Sequence, residues 1–302
     1  MNTQIKLAII AIAIVIPLAS LAITQTNSPS NNSTNENSKL QVVASATFLY
    51  EFSQNIGKEM IDVTLLVPMG ADPHDWEPTI RDTERLQKAD MIIVNGIGYE
   101  HWLNSLELSD IAGILVDTSN GISTLDSANH DEEKHDDHAK EDGHDDEDNH
   151  NHGVLDPHIW LNPVFAQLQV KNIANALSNS DPTNKNYYQS NAAIYNQKLN
   201  LLDTKIRTEL SGCKTDFITF HDAFSYFSEE YGLTQHTIIS STDSHGDVTP
   251  KTLEHIISLA RELNIKVIFA EENTSTKTSQ VIADEIGGKV LVLSPLEIVS
   301  DE

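Results

Sequence analysis

Short apolar runs alternate with longer amphipathic stretches in the first half of the chain, beginning near residue 40. The runs are rich in Val, Ile and Leu and are bounded by polar residues or glycine, which is typical of strands buried on both faces of a sheet. The stretches between them carry apolar residues at helical spacing. This pattern predicts strands at 40–44, 63–67, 91–94 and 114–116, and helices at 47–60, 79–89 and 98–107.

The same alternation returns after residue 212. A succession of strand, helix and strand favours a parallel sheet that is covered by helices on both faces. We therefore predict an α/β fold with two parallel-sheet lobes, one at 40–182 and the other at 212–302. The pattern in the second lobe predicts strands at 217–220, 237–239, 266–270 and 290–293, and helices at 222–231, 250–263 and 276–286.

One long helix is predicted between the lobes, at 183–211. Apolar residues recur there at alternating steps of four and three from Tyr188 to Leu210, which marks one face of a continuous helix. Pro182 precedes the helix and Gly212 follows it, as an N-terminal proline and a C-terminal glycine should. About 28 residues would span about 40 Å, so this helix is predicted to act as a rigid connection.

An uncharged apolar run at residues 7–23 follows Lys6. This is the pattern of a secretory signal peptide or of an uncleaved N-terminal anchor, and residues 1–23 are predicted to be one or the other. If they are an anchor, residues 7–23 tether the protein to the membrane. Residues 24–39 form a polar linker. We expect the folded part to be exported, to the periplasm or the outer cell surface.

The formal net charge of the 302-residue chain is −26. Nucleic acid and anionic lipid would be repelled, so the charge favours a cationic ligand. Much of it falls in a tract of acidic residues and histidines, predicted as a solvated loop over 126–153. Its histidines either form weak accessory metal sites or are simply solvated. They are His130, His135, His138, His144, His150 and His152.

The sequence Asp-Pro-His-x-Trp occurs twice, at 72–76 and at 156–160. Asp-Pro initiates turns, and a turn alone would explain one copy. Two copies, each preceding a predicted helix, instead favour His74 and His158 as ligands that are presented at the ends of elements.

A third candidate, His221, follows a predicted strand directly, where ligands bind in open α/β sheets. Three neutral imidazoles suit Zn²⁺. Asp72, Asp156 or Asp222 would orient the rings. The remaining histidines have no repeated context and are interpreted as structural or surface residues. They are His101, His236, His245 and His255.

Together, the segments 68–74, 156–161 and 221–227 closely resemble the zinc and manganese solute-binding proteins of ABC transporters, a TroA-like superfamily of metal receptors with a helical backbone. The resemblance covers nearly everything after residue 40. It implies two α/β lobes joined by a rigid helix, a metal site in the interlobe cleft, and His74, His158 and His221 as zinc ligands. The His-rich insertion and His221 indicate the zinc-uptake branch.

Two features depart from that family. Its members often have a carboxylate ligand near the end of the last strand, where this chain has Ser294, so water, Glu271, Glu272 or Glu297 is expected in the fourth position. Relatives also continue with a C-terminal helix, sometimes ending in cysteine, which implies a truncated second lobe. Cys213 is therefore either a thiol that has lost its partner or a small buried apolar residue.

We predict that a monomer captures Zn²⁺ and delivers it to an ABC permease, without covalent chemistry. Affinity is expected to fall below about pH 6.5, because ligation requires neutral imidazole. The alternatives are a manganese or iron receptor of the same family, a surface metal buffer or adhesin, and a zinc hydrolase. The sequence contains no HExxH motif to support the hydrolase.

Overall fold

Two four-stranded sheets form the framework of the computed structural model, which describes residues 39–106, 111–125, 155–239, 248–271 and 276–297. Every strand pairing in these ranges is parallel. The first sheet contains β1 (Leu40–Ala44), β2 (Ile61–Leu65), β3 (Met91–Val94) and β4 (Ile114–Asp117), and the second contains β5 (Asp216–Thr219), β6 (Thr234–Thr237), β7 (Val267–Ala270) and β8 (Lys289–Val292).

The two sheets have equivalent strand orders, β2-β1-β3-β4 and β6-β5-β7-β8. Parallel neighbours need crossover connections, and helices supply most of them here. The predicted fold of two parallel-sheet α/β lobes is confirmed. The helices are α1 (Thr47–Gly57), α2 (Ile80–Lys88), α3 (Pro163–Ser180), α4 (Lys185–Leu210), α5 (Ser225–Tyr231), α6 (Pro250–Glu262) and α7 (Lys277–Ile286).

The long helix α4 contains 26 residues and is therefore about 39 Å long. It packs against α3 and α1 of the first lobe. Near its other end, Arg207 forms an ion pair with Glu230, and Asp203 accepts a hydrogen bond from the Tyr231 hydroxyl of α5. The helix thus connects the lobes, as predicted from the apolar residues at alternating steps of four and three.

The largest apolar cluster joins the lobes next to the segments that carry His158 and His221. It contains residues of β1, β3, α1 and α3, together with Ala223 and Phe224 from the second lobe. Within it, the ring of Trp160 stacks on Phe48, with centroids 4.3 Å apart. This shared core fixes the segments around residues 160 and 223 next to each other.

Most predicted helices and strands overlap the observed ones, with bounds that differ by up to three residues, but two differ in type or in place. The helix expected at 98–107 is only a 3₁₀ turn at His101–Ser105, because the preceding loop has left-handed backbone at Gly96, Ile97 and Gly98. The sixth strand lies at Thr234–Thr237 rather than at 237–239. As an edge strand it is only partly buried, so its polar sequence does not resemble that of a buried strand.

Cys213 is exposed, so its interpretation as a buried apolar residue is wrong. The apolar run at 7–23, most of the linker and the His-rich tract lie outside the described residues. Within the described ranges, none of the helices combines the length and the apolarity needed to cross a membrane.

Candidate metal centre

Three histidines and one glutamate meet where strands of both sheets end. His74 lies in the loop after β2, His221 is two residues beyond β5, and Glu297 follows β8. His158 immediately precedes the 3₁₀ turn Ile159–Leu161 that leads into α3. The carboxyl ends of parallel strands are the usual position of ligand sites in open α/β sheets.

The Nε2 atoms of all three histidines face a common point. His74 Nε2 and His158 Nε2 lie 2.9 and 3.1 Å from Glu297 Oε1, and His221 Nε2 lies 3.4 Å from His158 Nε2. One ligand atom from each of the four residues lies within 4.8 Å of every other, a spacing that could hold a metal ion. His158, His221 and Glu297 are buried, and His74 is partly exposed.

The repeated Asp-Pro-His sequence forms the same local turn in both copies. Asp72 Oδ1 accepts a hydrogen bond from the backbone N–H of His74 at 2.9 Å, and Asp156 Oδ1 accepts one from the backbone N–H of His158 at 3.0 Å. Aspartate commonly stabilises turns by accepting from the residue two positions later. The turn and ligand interpretations are therefore compatible, because the turn is what presents each ring.

Carboxylates orient two of the three rings. His158 Nδ1–H donates to Asp156 Oδ1 at 2.7 Å, and His221 Nδ1–H donates to Glu271 Oε1 at 2.5 Å. Each bond directs the Nε2 lone pair of the neutral tautomer towards the common point and increases the basicity of the ring. Asp222 is one of the residues expected to orient a ring, but Glu271 is the carboxylate that binds the ring of His221. Asp222 accepts a hydrogen bond from the hydroxyl of Ser225.

The candidates for the fourth position separate clearly. Glu297 is the carboxylate that joins the three histidines. Glu271 instead binds the far side of the His221 ring, and Glu272 lies outside the described residues. The Ser294 hydroxyl accepts the backbone N–H of Leu296 and so belongs to the turn that carries Glu297. The sequence contained one sign of the role of Glu271: this acidic residue follows strand β7 directly, at the edge of the sheet where His221 also lies.

Opposite charges hold Glu297 to His158 and His74. Burial lowers the pKa of His158, but hydrogen bonds to Asp156 and Glu297 outweigh burial and raise this pKa to about 10. Burial is likewise outweighed by Glu297 at His74, whose pKa is raised. For Glu297, burial raises the pKa, yet the hydrogen bonds to His158 and His74 hold it well below its usual range. The metal-free protein therefore pairs anionic Glu297 with a protonated His158 ring.

The other described histidines lie away from this cluster. His101 is near Glu77, at 3.5 Å, and His236 pairs with Asp216 at 3.0 Å on the edge strand β6. His255 is exposed on α6. His245 and the six histidines of the tract lie outside the described residues.

Three imidazole nitrogens and one carboxylate oxygen form the donor set of a tetrahedral zinc site. Comparison with known sequences also points to zinc. The chain is 42% identical over 267 residues to the high-affinity zinc uptake system protein ZnuA of Bacillus subtilis, covering 87% of this chain and 81% of that protein. A family model described as the periplasmic zinc-uptake complex component A, ZnuA, matches residues 42–302. The chain belongs to the ZnuA family.

Solved structures agree with this membership of the ZnuA family. A crystal structure of ZnuA matches with a TM-score of 0.72 and 30% identity, over 85% of this chain and 92% of that one. The laminin-binding protein Lmb of Streptococcus agalactiae, described as both adhesin and metal transporter, matches with a TM-score of 0.74 and 26% identity, over 87% and 92%. The chain spans about half (52%) of the length of the zinc-binding protein AdcA of Streptococcus pyogenes, to which it is 33% identical over 87% of its own length.

Proposed function

We propose that this protein captures Zn²⁺ with His74, His158, His221 and Glu297 and delivers it to an ABC permease. The observation that carries the proposal is the convergence of three Nε2 atoms and one carboxylate oxygen within 4.8 Å. The role of the relative from Bacillus subtilis in high-affinity zinc uptake supports the transport step. Export, as expected from residues 7–23, agrees with the periplasmic description of the family.

The donor set favours zinc over the other metals considered. Manganese prefers more oxygen ligands, and a Cu(I)-selective site would need thiolate or thioether ligands. Three nitrogens and one oxygen suit Zn²⁺, at distances near 2.0–2.2 Å. A manganese or iron receptor is therefore the weaker alternative.

The ligand assignment can be tested by single substitutions in a background lacking residues 127–152, so that the tract does not contribute. His74→Ala, His158→Ala and His221→Ala should each weaken zinc binding by more than about tenfold, because each removes one of four ligands. Calorimetry or competition with a chelator measures the affinity. His255→Ala on exposed α6 is the matched control and should bind as the parent does. Unchanged affinity in the three variants would refute the assignment.

A surface function is the second candidate, favoured by the description of Lmb as an adhesin as well as a metal transporter. Growth under zinc limitation separates the two roles, in a cell that lacks its own zinc-binding receptor but keeps the ABC permease. Rescue by the parent but not by His158→Ala supports uptake, whereas a buffer or adhesin would give no rescue. Zinc-dependent turnover on a panel of esters and phosphoesters would instead support a hydrolase.

A further inference from the structure

The turn that carries Glu297 belongs to the second lobe but is held by residues of the first. Trp160 Nε1–H donates to the carbonyl oxygen of Pro295 at 2.8 Å, in a buried hydrogen bond. The hydroxyl of Thr47, the first residue of α1, lies 3.3 Å from the carbonyl oxygens of both Leu296 and Glu297. Two donors from one lobe thus face three successive carbonyl groups of the other, and the single Thr47 hydroxyl proton is shared between two of them.

This turn has a backbone conformation that needs external support. Leu296 has a φ of +61°, in the left-handed region that residues other than glycine disfavour. Its side chain is 54% exposed, so burial of the leucine does not compensate for the unfavourable backbone. The hydrogen bonds from Trp160 and Thr47 act on this same turn, and they therefore help to determine where Glu297 points.

Trp160 is itself held firmly. It is 4% exposed, stacks on Phe48 with centroids 4.3 Å apart, and meets Tyr99 edge-on at 5.2 Å. It is also two residues after His158, in the second Asp-Pro-His-x-Trp sequence. The equivalent tryptophan of the first copy, Trp76, packs edge-on against Trp102 within the first lobe.

We propose that Trp160 and Thr47 are positioning residues for the Glu297 carboxylate, so that the second Asp-Pro-His-x-Trp sequence supplies one metal ligand and positions another. This inference rests on the proposed function, because it requires Glu297 to bind the metal. Loss of either donor should leave the turn free to relax at Leu296 and carry the carboxylate away from His74 and His158. The three histidines would remain in place.

A double-mutant cycle on the full chain tests this coupling. Zinc affinity is measured by competition with a chelator strong enough that only the tightest site competes. The substitutions Trp160→Phe and Thr47→Val are made both in the parent and in Glu297→Ala. Phenylalanine keeps an aromatic ring to stack on Phe48 but has no N–H donor, and valine matches the shape of threonine without its hydroxyl. Trp76→Phe is the matched control.

In the parent, Trp160→Phe should weaken zinc binding by about fivefold to tenfold, as expected for loss of one short hydrogen bond. Thr47→Val should weaken it by about twofold to fivefold, because one longer hydrogen bond, shared between two carbonyl oxygens, is lost. In the Glu297→Ala background neither substitution should change the affinity further by more than about twofold, because coupled residues are not additive. Any change in zinc affinity caused by Trp76→Phe should be equal in the parent and in Glu297→Ala, because Trp76 packs against Trp102 within the first lobe.

The cycle can fail in distinguishable ways. Equal losses with and without Glu297 would overturn the inference, because the residues would then act through His158 or the core. The inference would also be overturned if Glu297→Ala bound zinc as tightly as the parent, or if Trp160→Phe and Thr47→Val both did. Neither result would contradict the three histidines as zinc ligands. If thermal unfolding and circular dichroism show that Trp160→Phe does not fold, the Thr47→Val cycle decides. A parent that binds no zinc tightly would instead refute the proposed function.

Discussion

Asp156 accepts two hydrogen bonds from His158, one from the backbone N–H at 3.0 Å and one from the ring Nδ1–H at 2.7 Å. The same side chain therefore shapes the turn and selects the tautomer. Because both residues are buried, solvent does not compensate if either bond is lost.

Asp156→Asn should weaken zinc binding about 10-fold to 100-fold, the range usual for loss of a residue that orients a metal ligand. The amide can still accept the backbone N–H, so the turn is retained, but it lacks the charge that makes the ring more basic. Competition titration with a chelator measures the effect. Asp222→Asn is a matched control beside another ligand, and its smaller expected effect follows from its hydrogen bond with Ser225. Equal effects in both variants would contradict an orienting role.

Zinc binding should release protons at neutral pH. The pKa of His158 is raised to about 10 and that of His74 is also raised, so the metal must displace protons from rings that bind it only when neutral. Affinity should rise with pH through neutrality and up to about pH 10, which extends the window expected from the sequence. Calorimetry in buffers of different ionisation enthalpy counts the protons. Glu297→Gln removes an anion that raises the pKa of His74 and, together with Asp156, that of His158, so zinc binding to this variant should release fewer protons. A binding heat that does not depend on the buffer would contradict the pairing of Glu297 with protonated His158.

Deletion of residues 127–152 should leave one tight zinc site intact. The segment around His158 is anchored independently of the tract, since Tyr226 Oη–H donates to the carbonyl of Asp156 at 2.7 Å and Asn95 Nδ2–H donates to that of Pro157 at 2.9 Å. Metal analysis and titration before and after deletion should differ only in weak sites. Deletion of residues 27–37, a polar segment without histidine, is the control for removing a stretch of chain that lacks these side chains. Loss of the tight site on removing the tract would show that the tract contributes ligands to it.

Local patterns explain how much of the site was predictable. His74 and His158 could be identified because each turn depends on an aspartate two residues earlier, and His221 because it follows a buried strand. The sequence could not show that Glu297, rather than Glu271, occupies the fourth position. The direction of Glu297 depends on the left-handed backbone of Leu296 and on a hydrogen bond from Trp160 to Pro295, two residues that are 135 positions apart. The fold followed from the apolar runs, except at β6, where an edge strand has a polar sequence.

A buried carboxylate supports the loop next to the candidate metal centre. Glu100 accepts hydrogen bonds from the Ser45 hydroxyl and from the backbone N–H groups of Asn95 and Gly96, at 2.6, 2.7 and 3.0 Å. Burial raises the pKa of Glu100 to about 7 despite these bonds. Asn95 in turn binds the carbonyl of Pro157, so the network reaches the residue before His158.

The ionisation of Glu100 should make metal-free stability depend on pH in a direction opposite to that of an ordinary paired carboxylate. Between pH 4.5 and about 7 the folded protein retains a proton that the unfolded chain has released, so the contribution of Glu100 to the free energy of unfolding falls as pH rises. The full difference is about 3 kcal/mol. Glu100→Gln cannot ionise, and its stability relative to the parent should therefore increase by about this amount across the window, even though its amide faces the Gly96 N–H unfavourably.

Denaturant unfolding of the metal-free parent and variant across this pH range measures the relative stability. Glu84→Gln, on the exposed face of α2, is the matched control and should follow the parent at every pH. Parallel curves for Glu100→Gln and the parent would mean that the three hydrogen bonds keep Glu100 ionised throughout. In that case Glu100 holds the loop at Asn95 and Gly96 as a carboxylate across this pH range, and the hydrogen bond from Asn95 to Pro157, the residue before His158, does not depend on pH there.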